Sequence, residues 1–432
     1  MKKYSCLVLL VAPLFSMAQT PLLTLQEAIA AAMKNNFEVV MAKNEASISS
    51  INNNWGAALP VVSAGLNKTL ASNNIQQELA NGTTIKRDGA SVNNFNAGLA
   101  VSWRIFDGMG MFATKKRLEE LEKIGELGFR RMVNQKAYEA IAAYYDIVRL
   151  KQQAIATKEV ISLYQERLKI AETRFNVGSS AKPDLLQAQV DLNEQKSLLL
   201  TIENNIVIGK TLLNNILARN PATEFETADS FSHARPVDIA SIQQKVNAQN
   251  PDVLLAQGNL AVLMQTKKEI NALRLPSATI GGNYNFVRNK SAAGFNLLNQ
   301  TYGPSGTFGL QVPIFNGGLI KRQVQVAAIN IQNQQIALEQ LHNQLNSSLT
   351  NSYLNYTNGI KLVEMEKQNL VIVKENNYIN IERFKKSSIT SVELRQGQVN
   401  FSNAQTRLID ALYQVKVSEA EMMLLAGEIM SE

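Results

Sequence analysis

Cysteine occurs once in 432 residues, at position 6, and histidine twice, at 233 and 342. That scarcity excludes a disulfide framework and a cysteine metal site from everything beyond residue 6. His233 and His342 are far apart, with no carboxylate or cysteine at metal spacing, so neither reads as a ligand. No G-x-S-x-G, P-loop or H-E-x-x-H pattern occurs, and the 18% of charged residues are spread along helical segments. The expectation is no enzyme, no cofactor and no metal. Long apolar runs are also missing. Beyond the first eighteen residues nothing approaches the roughly 18 uninterrupted apolar residues of a spanning helix. Any membrane crossing must then use β-strands. Charge of one sign is scarce too: the formal net charge is +7, and Lys2 and Lys3 supply two of it. The remaining +5 is too dilute to argue for nucleic acid.

The first eighteen residues carry an address. Lys2 and Lys3 precede an apolar run from Leu7 to Phe15, and Ser16-Met17-Ala18 precedes Gln19 as a small-x-small cleavage site. This is the pattern of a secretory signal peptide over residues 1–18. Cys6 falls before the apolar run, too early for a lipid-attachment cysteine, so the exported chain is not expected to be a lipoprotein.

Most informative is a repetition. Arg174-Phe175 recurs as Arg383-Phe384, Asp184-Leu185 as Glu393-Leu394, and Gln189-Val190 as Gln398-Val399, always 209 positions apart. A heptad ladder of Leu185, Leu192, Leu199, Ile206 and Leu213 is answered by Leu394, Phe401, Leu408, Val415 and Met422. Apolar residues every seven positions describe a helix packed along a coiled-coil seam. The chain is a tandem duplication, with repeats over residues 19–225 and 226–432.

Each repeat reads as helix, strand, strand, very long helix, shorter helix. Leu25 to Ala58 is helical in composition and stops at Pro60. Val62, Ala64 and Leu66, then Leu99, Val101, Trp103 and Ile105, alternate with small or polar residues. They form a hairpin over residues 61–106 with a long polar loop from Ser72 to Asn94. The second repeat gives a hairpin over residues 277–315, with its loop from Asn289 to Thr307. Both hairpins leave through the same punctuation, Phe106-Asp107-Gly108 and Phe315-Asn316-Gly317-Gly318. Glycine turns the chain there, and Asp107 or Asn316 caps the next helix.

Residues 111–175 contain no proline, and residues 319–384 form their counterpart. At ~1.5 Å per residue each reaches roughly 100 Å, which requires neighbours along the whole length. Shorter helices come next, at 183–219 and 390–428. Pro183 suits a first helical turn, and Thr390 with Glu393 has capping-box spacing. The polar stretch Asn220 to Asp238 links the repeats.

Four strands cannot close a barrel, and an open sheet in lipid leaves unpaired edge groups, each costing several kcal/mol. Three copies pooling strands into 12 is the smallest assembly with a lumen. The predicted fold class is an α+β membrane protein. Each chain gives four strands to a shared 12-stranded barrel and adds a long α-helical coiled-coil barrel.

The turn RFNVGSSAKPDLLQAQ, the Pro60 and Pro276 helix-to-strand signals, the VPIFNGG strand exit and the tandem layout together resemble the TolC-like outer-membrane efflux family. The resemblance runs from Leu22 to Glu428. It implies a homotrimeric channel-tunnel that conducts cargo passively across periplasm and outer membrane, with the 12-stranded barrel in the outer membrane and the α-helical coiled-coil barrel in the periplasm. Its implied partners are a periplasmic adaptor (membrane fusion) protein, an inner-membrane transporter of RND or ABC type and outer-membrane lipid. It further implies that Arg174, Phe175, Val177, Gly178, Arg383 and Ser387 belong to adaptor-docking helix turns at a periplasmic tip. Glu393, Gln396, Asp184 and Phe384 fall at the gate. A second acid of the family's constriction is Gln396 here, so one acidic ring is lost and a weaker cation filter is implied. A basic latch residue of some members is Ile389, which leaves Asp184 without that cation.

Blander roles stand beside these. Glu393 also fits a simple helix cap with Thr390, and Asp184 suits a helix N-terminus. Trp103 fits an interfacial belt or a core. Lys115, Lys116, Arg117, Lys321 and Arg322 fit either lipid head groups or a solvated face. The alternative function is a soluble periplasmic coiled-coil adaptor or scaffold.

Overall fold

A computed structural model describes residues 21–294 and 296–429. The signal peptide expected at 1–18 lies outside the described residues. The elements are α1 (Leu25–Asn35), α2 (Phe37–Asn52), a 3-10 turn (Gly56–Ala58), β1 (Val61–Glu78), β2 (Thr84–Asp107), α3 (Gly110–Asn176) and α4 (Lys182–Ile216). They repeat as α5 (Ile239–Gln249), α6 (Pro251–Ala272), β3 (Ser277–Ser291), β4 (Leu298–Gln311), α7 (Leu319–Lys385) and α8 (Ser391–Ala426). Among the described residues no helix is long and apolar enough to cross a membrane.

Each long helix, α3 and α7, is a single run of 67 residues. The chain forms two compact units, one from Met1–Met41, Arg130–Asn250 and Gln344–Glu432, the other from Ala42–Phe129 and Pro251–Asn343. Each unit draws on both repeats.

In the first unit, small residues let helices approach closely. Ala28 and Ala32 of α1 and Ala137 and Ala140 of α3 are fully buried beside Ile147, Leu213 and Leu217. Burying each large aliphatic side chain contributes roughly 1.5–3 kcal/mol. The heptad ladder faces inward: Leu394, Phe401, Val415 and Met422 are buried on α8, and Leu192 and Leu213 on α4. The remaining ladder positions are half-buried. The stretch after α4 is anchored rather than loose. Phe225 is buried, Tyr144 Oη accepts from Ala228 N at 3.0 Å, and Lys210 pairs with Glu226 at 2.6 Å.

The single helix expected from Leu25 to Ala58 is instead broken at Asn36 and ends at Asn52. The Asn36 side chain accepts from Glu38 N at 2.9 Å, starting α2, and donates to Ile216 O at 2.8 Å. One polar group thus caps a new helix and satisfies a terminal carbonyl of α4. Asn250 repeats the arrangement by donating to Leu425 O at 2.8 Å, and Pro251 opens α6. Ile216 and Leu425 are themselves 209 positions apart.

In the second unit, glycine permits close helix contact. A Cβ on Gly125 would lie 2.9 Å from Ser49 Oγ, and one on Gly258 2.8 Å from Ile124 Cγ1. The strands form one antiparallel sheet in the order β1-β2-β3-β4. Both strand pairs run past the expected polar loops, to Glu78 and from Thr84, and to Ser291 and from Leu298. Backbone ladders hold these segments whatever their side chains, and only Leu79–Thr83 turns between β1 and β2, through Gly82 at φ +79°. β4 stops at Gln311 rather than 315. Pro313 has no N–H for a ladder.

Candidate functional site

In the first unit, the two helix-to-helix turns are built alike. After α3, Gly178 N donates to Phe175 O at 3.0 Å and Ser179 N to Arg174 O at 2.8 Å, with Gly178 at φ +73°. After α7, Ser387 N donates to Phe384 O and Ser388 N to Arg383 O, both at 2.9 Å, with Ser387 at φ +57°. Both are Schellman caps. Serine replaces glycine in the second at a conformational cost of roughly 1–2 kcal/mol. α8 then opens on a full capping box: Thr390 N donates to Glu393 Oε2 at 2.8 Å, and Glu393 N to Thr390 Oγ1 at 3.2 Å. The bond from the Thr390 backbone first, and then one from the Thr390 hydroxyl at 2.9 Å, hold the exposed Glu393 carboxyl below its ordinary range. α4 begins with Pro183 in its first turn and no side-chain cap.

The turns are joined. Arg174 reaches from α3 over the second turn, where its guanidinium lies 4.2 Å from the centre of the Phe384 ring. It donates to Phe384 O and, at 3.0 Å, to Ser387 Oγ. The strained serine therefore supplies an acceptor that glycine would lack. Phe384 is 3% exposed and clusters with Ile381, Ile389 and Leu394. Its ring packs in the turn's core, not on an open surface, because apolar neighbours surround it and the guanidinium covers it. Ile389, at the implied latch position, belongs to the same core. Asp184 instead accepts from Ser391 Oγ at 3.1 Å and Ser180 Oγ at 3.2 Å. Glu393 and Gln396 are exposed, as are Phe175, Val177, Gly178 and Arg383. Lys385 bridges Glu166 at 2.7 Å and Glu382 at 2.9 Å, and these bonds push its ammonium pKa upward.

Behind the turns lies a buried polar layer that no sequence pattern announced. Arg167 and Asp191 pair at 2.9 Å with both side chains 2% exposed, and Arg395 adds a second contact to Asp191 at 3.3 Å. Gln398 donates to Leu163 O at 3.2 Å and accepts from Arg167 at 3.4 Å. The layer ties α3, α4 and α8 together. The recurrence of Gln189 as Gln398 was the only available hint, yet Gln189 is exposed.

A cavity of about 1060 Å³ in the same unit is lined by Leu25, Ile29, Met33, Tyr144 and Met423 among others. Its Lys416 and Glu419 are paired with each other at 2.8 Å. Among the described residues no His, Cys, Asp and Glu group could hold a metal.

The strand-to-helix turns belong to the second unit. Asp107 Oδ1 accepts from Met111 N at 3.0 Å, and a Cβ on Gly108 would lie 2.5 Å from Ala272 O, so only glycine fits. At the other exit, Leu319 N donates to the Asn316 backbone carbonyl at 3.2 Å, and Gly317 and Gly318 have φ +62° and +72°. Lys115 and Arg117 are engaged within the protein: Lys115 donates to Asn53 O at 3.4 Å, and Arg117 pairs with Glu269 at 2.9 Å.

Register separates the sheet's faces. One face carries Val62, Ala64 and Leu66 of β1, Leu99, Val101 and Trp103 of β2, Ile280, Tyr284 and Phe286 of β3, and Tyr302, Phe308 and Leu310 of β4. Most of these are exposed, up to 71% for Leu66. Trp103 is likewise exposed and donates to Ala58 O at 2.8 Å. The opposite face presents Ser63, Asn67, Thr69, Asn94, Asn96, Asn283, Asn285, Ser305 and Thr307. The sheet is thus apolar on one side and polar on the other, and in the chain β1 and β4 each keep an unpaired edge.

The sequence profile described as outer membrane efflux protein matches residues 28–219 and 242–428. The chain belongs to the outer membrane efflux protein family. As a member it is an efflux channel protein of the Gram-negative outer membrane that extends into the periplasm, and the family is one of channels rather than enzymes. Protein CyaE of Bordetella pertussis is 20% identical over 352 residues, 80% of this chain and 73% of that protein. Outer membrane protein TolC of Escherichia coli is 19% identical over 351 residues, 79% of this chain and 71% of that one. In fold, the chain is similar to the outer membrane protein VceC of Vibrio cholerae. That likeness has a TM-score of 0.74 at 14% identity and covers 93% of this chain and 96% of that one.

Proposed function

We propose that three copies assemble into one passive conduit, each giving its four strands to a 12-stranded barrel. The observation that carries this is the sheet: an exposed apolar face, a polar face opposite and two unpaired edges in one chain. Lipid against the first face, a water-filled lumen against the second and neighbouring copies on the edges satisfy all three features. Exposed apolar side chains on α4 (Leu186, Val190, Leu200) and α7 (Ile336, Val371, Ile372) support pooling of the helices as well. The two repeats then act as equivalent parts of a helical wall.

The tip is the gate in this reading, with Glu393 and Gln396 on its open surface. Three Glu393 carboxylates would focus a negative field on the axis, and Gln396 would leave that field to a single ring. Arg174, Phe175, Val177, Gly178, Arg383 and Ser387 form the turns to which a periplasmic adaptor would dock, with an inner-membrane transporter supplying energy.

A charge scan of the sheet tests the proposal. Leu99→Arg and Tyr284→Arg, in the middle row of the apolar face, place a cation against lipid, at about 2–4 kcal/mol each near mid-bilayer. They should abolish outer-membrane accumulation, whereas Asn67→Arg on the polar face should leave it intact. Equal tolerance of all three would favour the soluble periplasmic scaffold.

A further inference from the structure

The strands carry six cations, and their placement is uneven. In the fully paired part of the sheet, Lys68, Arg288 and Lys290 all lie on the apolar face, and the polar face holds only Arg104. Lys68 and Arg288 flank Phe95 in one cross-strand row, and Lys290 stands in the next. All three are exposed, and none is ion-paired among the described residues. Carboxylates occur on the strands only at Glu78, Asp88 and Asp107, none of them in these two rows. Solvation alone would favour the polar face for such groups.

Their height explains them. Phe95, in the row of Lys68 and Arg288, meets Phe286 of the row below edge-on at 6.0 Å, and Phe286 stacks on Tyr302 within that lower row at 6.5 Å. The opposite end of the apolar face is marked by Trp103, Ile280 and Phe308, which share one row. From Ile280 to Arg288 the strand rises roughly 26 Å at ~3.3 Å per residue. At the ~35–45° tilt of barrel strands that length spans roughly 20 Å of height, most of the roughly 25 Å apolar band of an outer-membrane barrel. The cations stand at its edge, where long side chains reach the head groups and an ammonium or guanidinium costs little to place.

We infer that Lys68, Arg288 and Lys290 form a binding site on the sheet's outer face for the phosphorylated head group of an outer-leaflet lipid. The acyl chains would lie on the Leu66, Leu99 and Phe286 surface beneath. Charge complementarity selects the ligand: three cations without carboxylate partners in two adjacent rows match a phosphomonoester better than a zwitterionic head group. The inference rests on the barrel proposed above.

The test compares wild-type protein with Lys68→Gln/Arg288→Gln/Lys290→Gln and with the charge-keeping Lys68→Arg/Arg288→Lys/Lys290→Arg. Each is reconstituted into phosphatidylcholine nanodiscs doped with diphosphorylated lipid A. Lipid retained on transfer to neutral detergent is then counted by mass spectrometry. Each cation near an anionic surface is worth about fivefold in partitioning before screening. Neutralising all three should therefore lower retained lipid A at least about tenfold, while the charge-keeping variant retains it and phosphatidylcholine is unaffected. Insertion of the wild type with equal lipid A retention in all three proteins would overturn the head-group site and leave the barrel standing. Stripping of the lipid by excess inorganic phosphate would reduce the site to a simple anion site and overturn the lipid assignment. Failure of the wild type to enter nanodiscs would remove the barrel, and the site with it.

Discussion

Replacing Arg174 with alanine should loosen the joined turns selectively. The substitution removes a guanidinium 4.2 Å from the Phe384 ring centre and its bonds to Phe384 O and Ser387 Oγ. A cation–π contact at a half-exposed position contributes about 1 kcal/mol. The charge-assisted hydrogen bonds add roughly 1–2 kcal/mol after allowing for solvent. Together, ~2–3 kcal/mol corresponds to a roughly 30- to 150-fold rise in local opening. The cluster of Phe384, Ile381, Ile389 and Leu394 would lose its lid, while the α1–α3 core would not change. Hydrogen exchange with mass-spectrometric readout should show faster exchange confined to peptides around 381–394. Arg174→Lys, which keeps the charge without the forked donor, should fall between. Ser387→Gly should relieve backbone strain yet lose one acceptor, giving a smaller change than Arg174→Ala. Unchanged exchange around 381–394 in Arg174→Ala would refute the clamp.

Other outcomes rest on the same geometry. Glu393→Gln retains a side chain able to complete the capping box, so melting should be nearly unchanged while cation selectivity of the reconstituted channel falls; unaltered selectivity would remove Glu393 from the gate. Asp191→Ala leaves Arg167 buried without its partner and should destabilise the first unit by about 3–5 kcal/mol, visible as a lower urea midpoint in detergent. The Glu393 carboxyl has a folded-state pKa below its ordinary value of 4.5. Its stabilisation is therefore present above 4.5 and lost as pH falls through the depressed value. Protection of the first turn of α8 should hold from neutral pH down to about 5 and decline only in more acid solution; a decline beginning near neutrality would contradict this.

The features legible in sequence were those recorded in local chemistry. The 209-residue repetition located both helix-to-helix turns, and the spacing of Thr390 and Glu393 was enough to announce their capping box. Strand length was hidden for a physical reason. Segments such as Asn73–Glu78 and Thr84–Ser91 lack apolar alternation because they bury little on either face, while backbone pairing continues. The break at Asn36 was hidden as well, since an asparagine in a polar helical stretch looks innocuous until its distant acceptor, Ile216 O, is known. The Arg174 clamp and the Arg167–Asp191 layer join positions far apart in sequence, where local pattern carries no distance. Ile389 illustrates the converse. Its apolar character departs from a basic latch, and the structure uses it as core while hydroxyls hold Asp184.

The central claim is that chains pool their sheets into a conduit, and conductance of the purified protein in planar bilayers tests it most directly. Discrete single-channel openings are expected, carried by cations in preference to anions. Protein that stays soluble without detergent and never yields a conducting event would contradict the account.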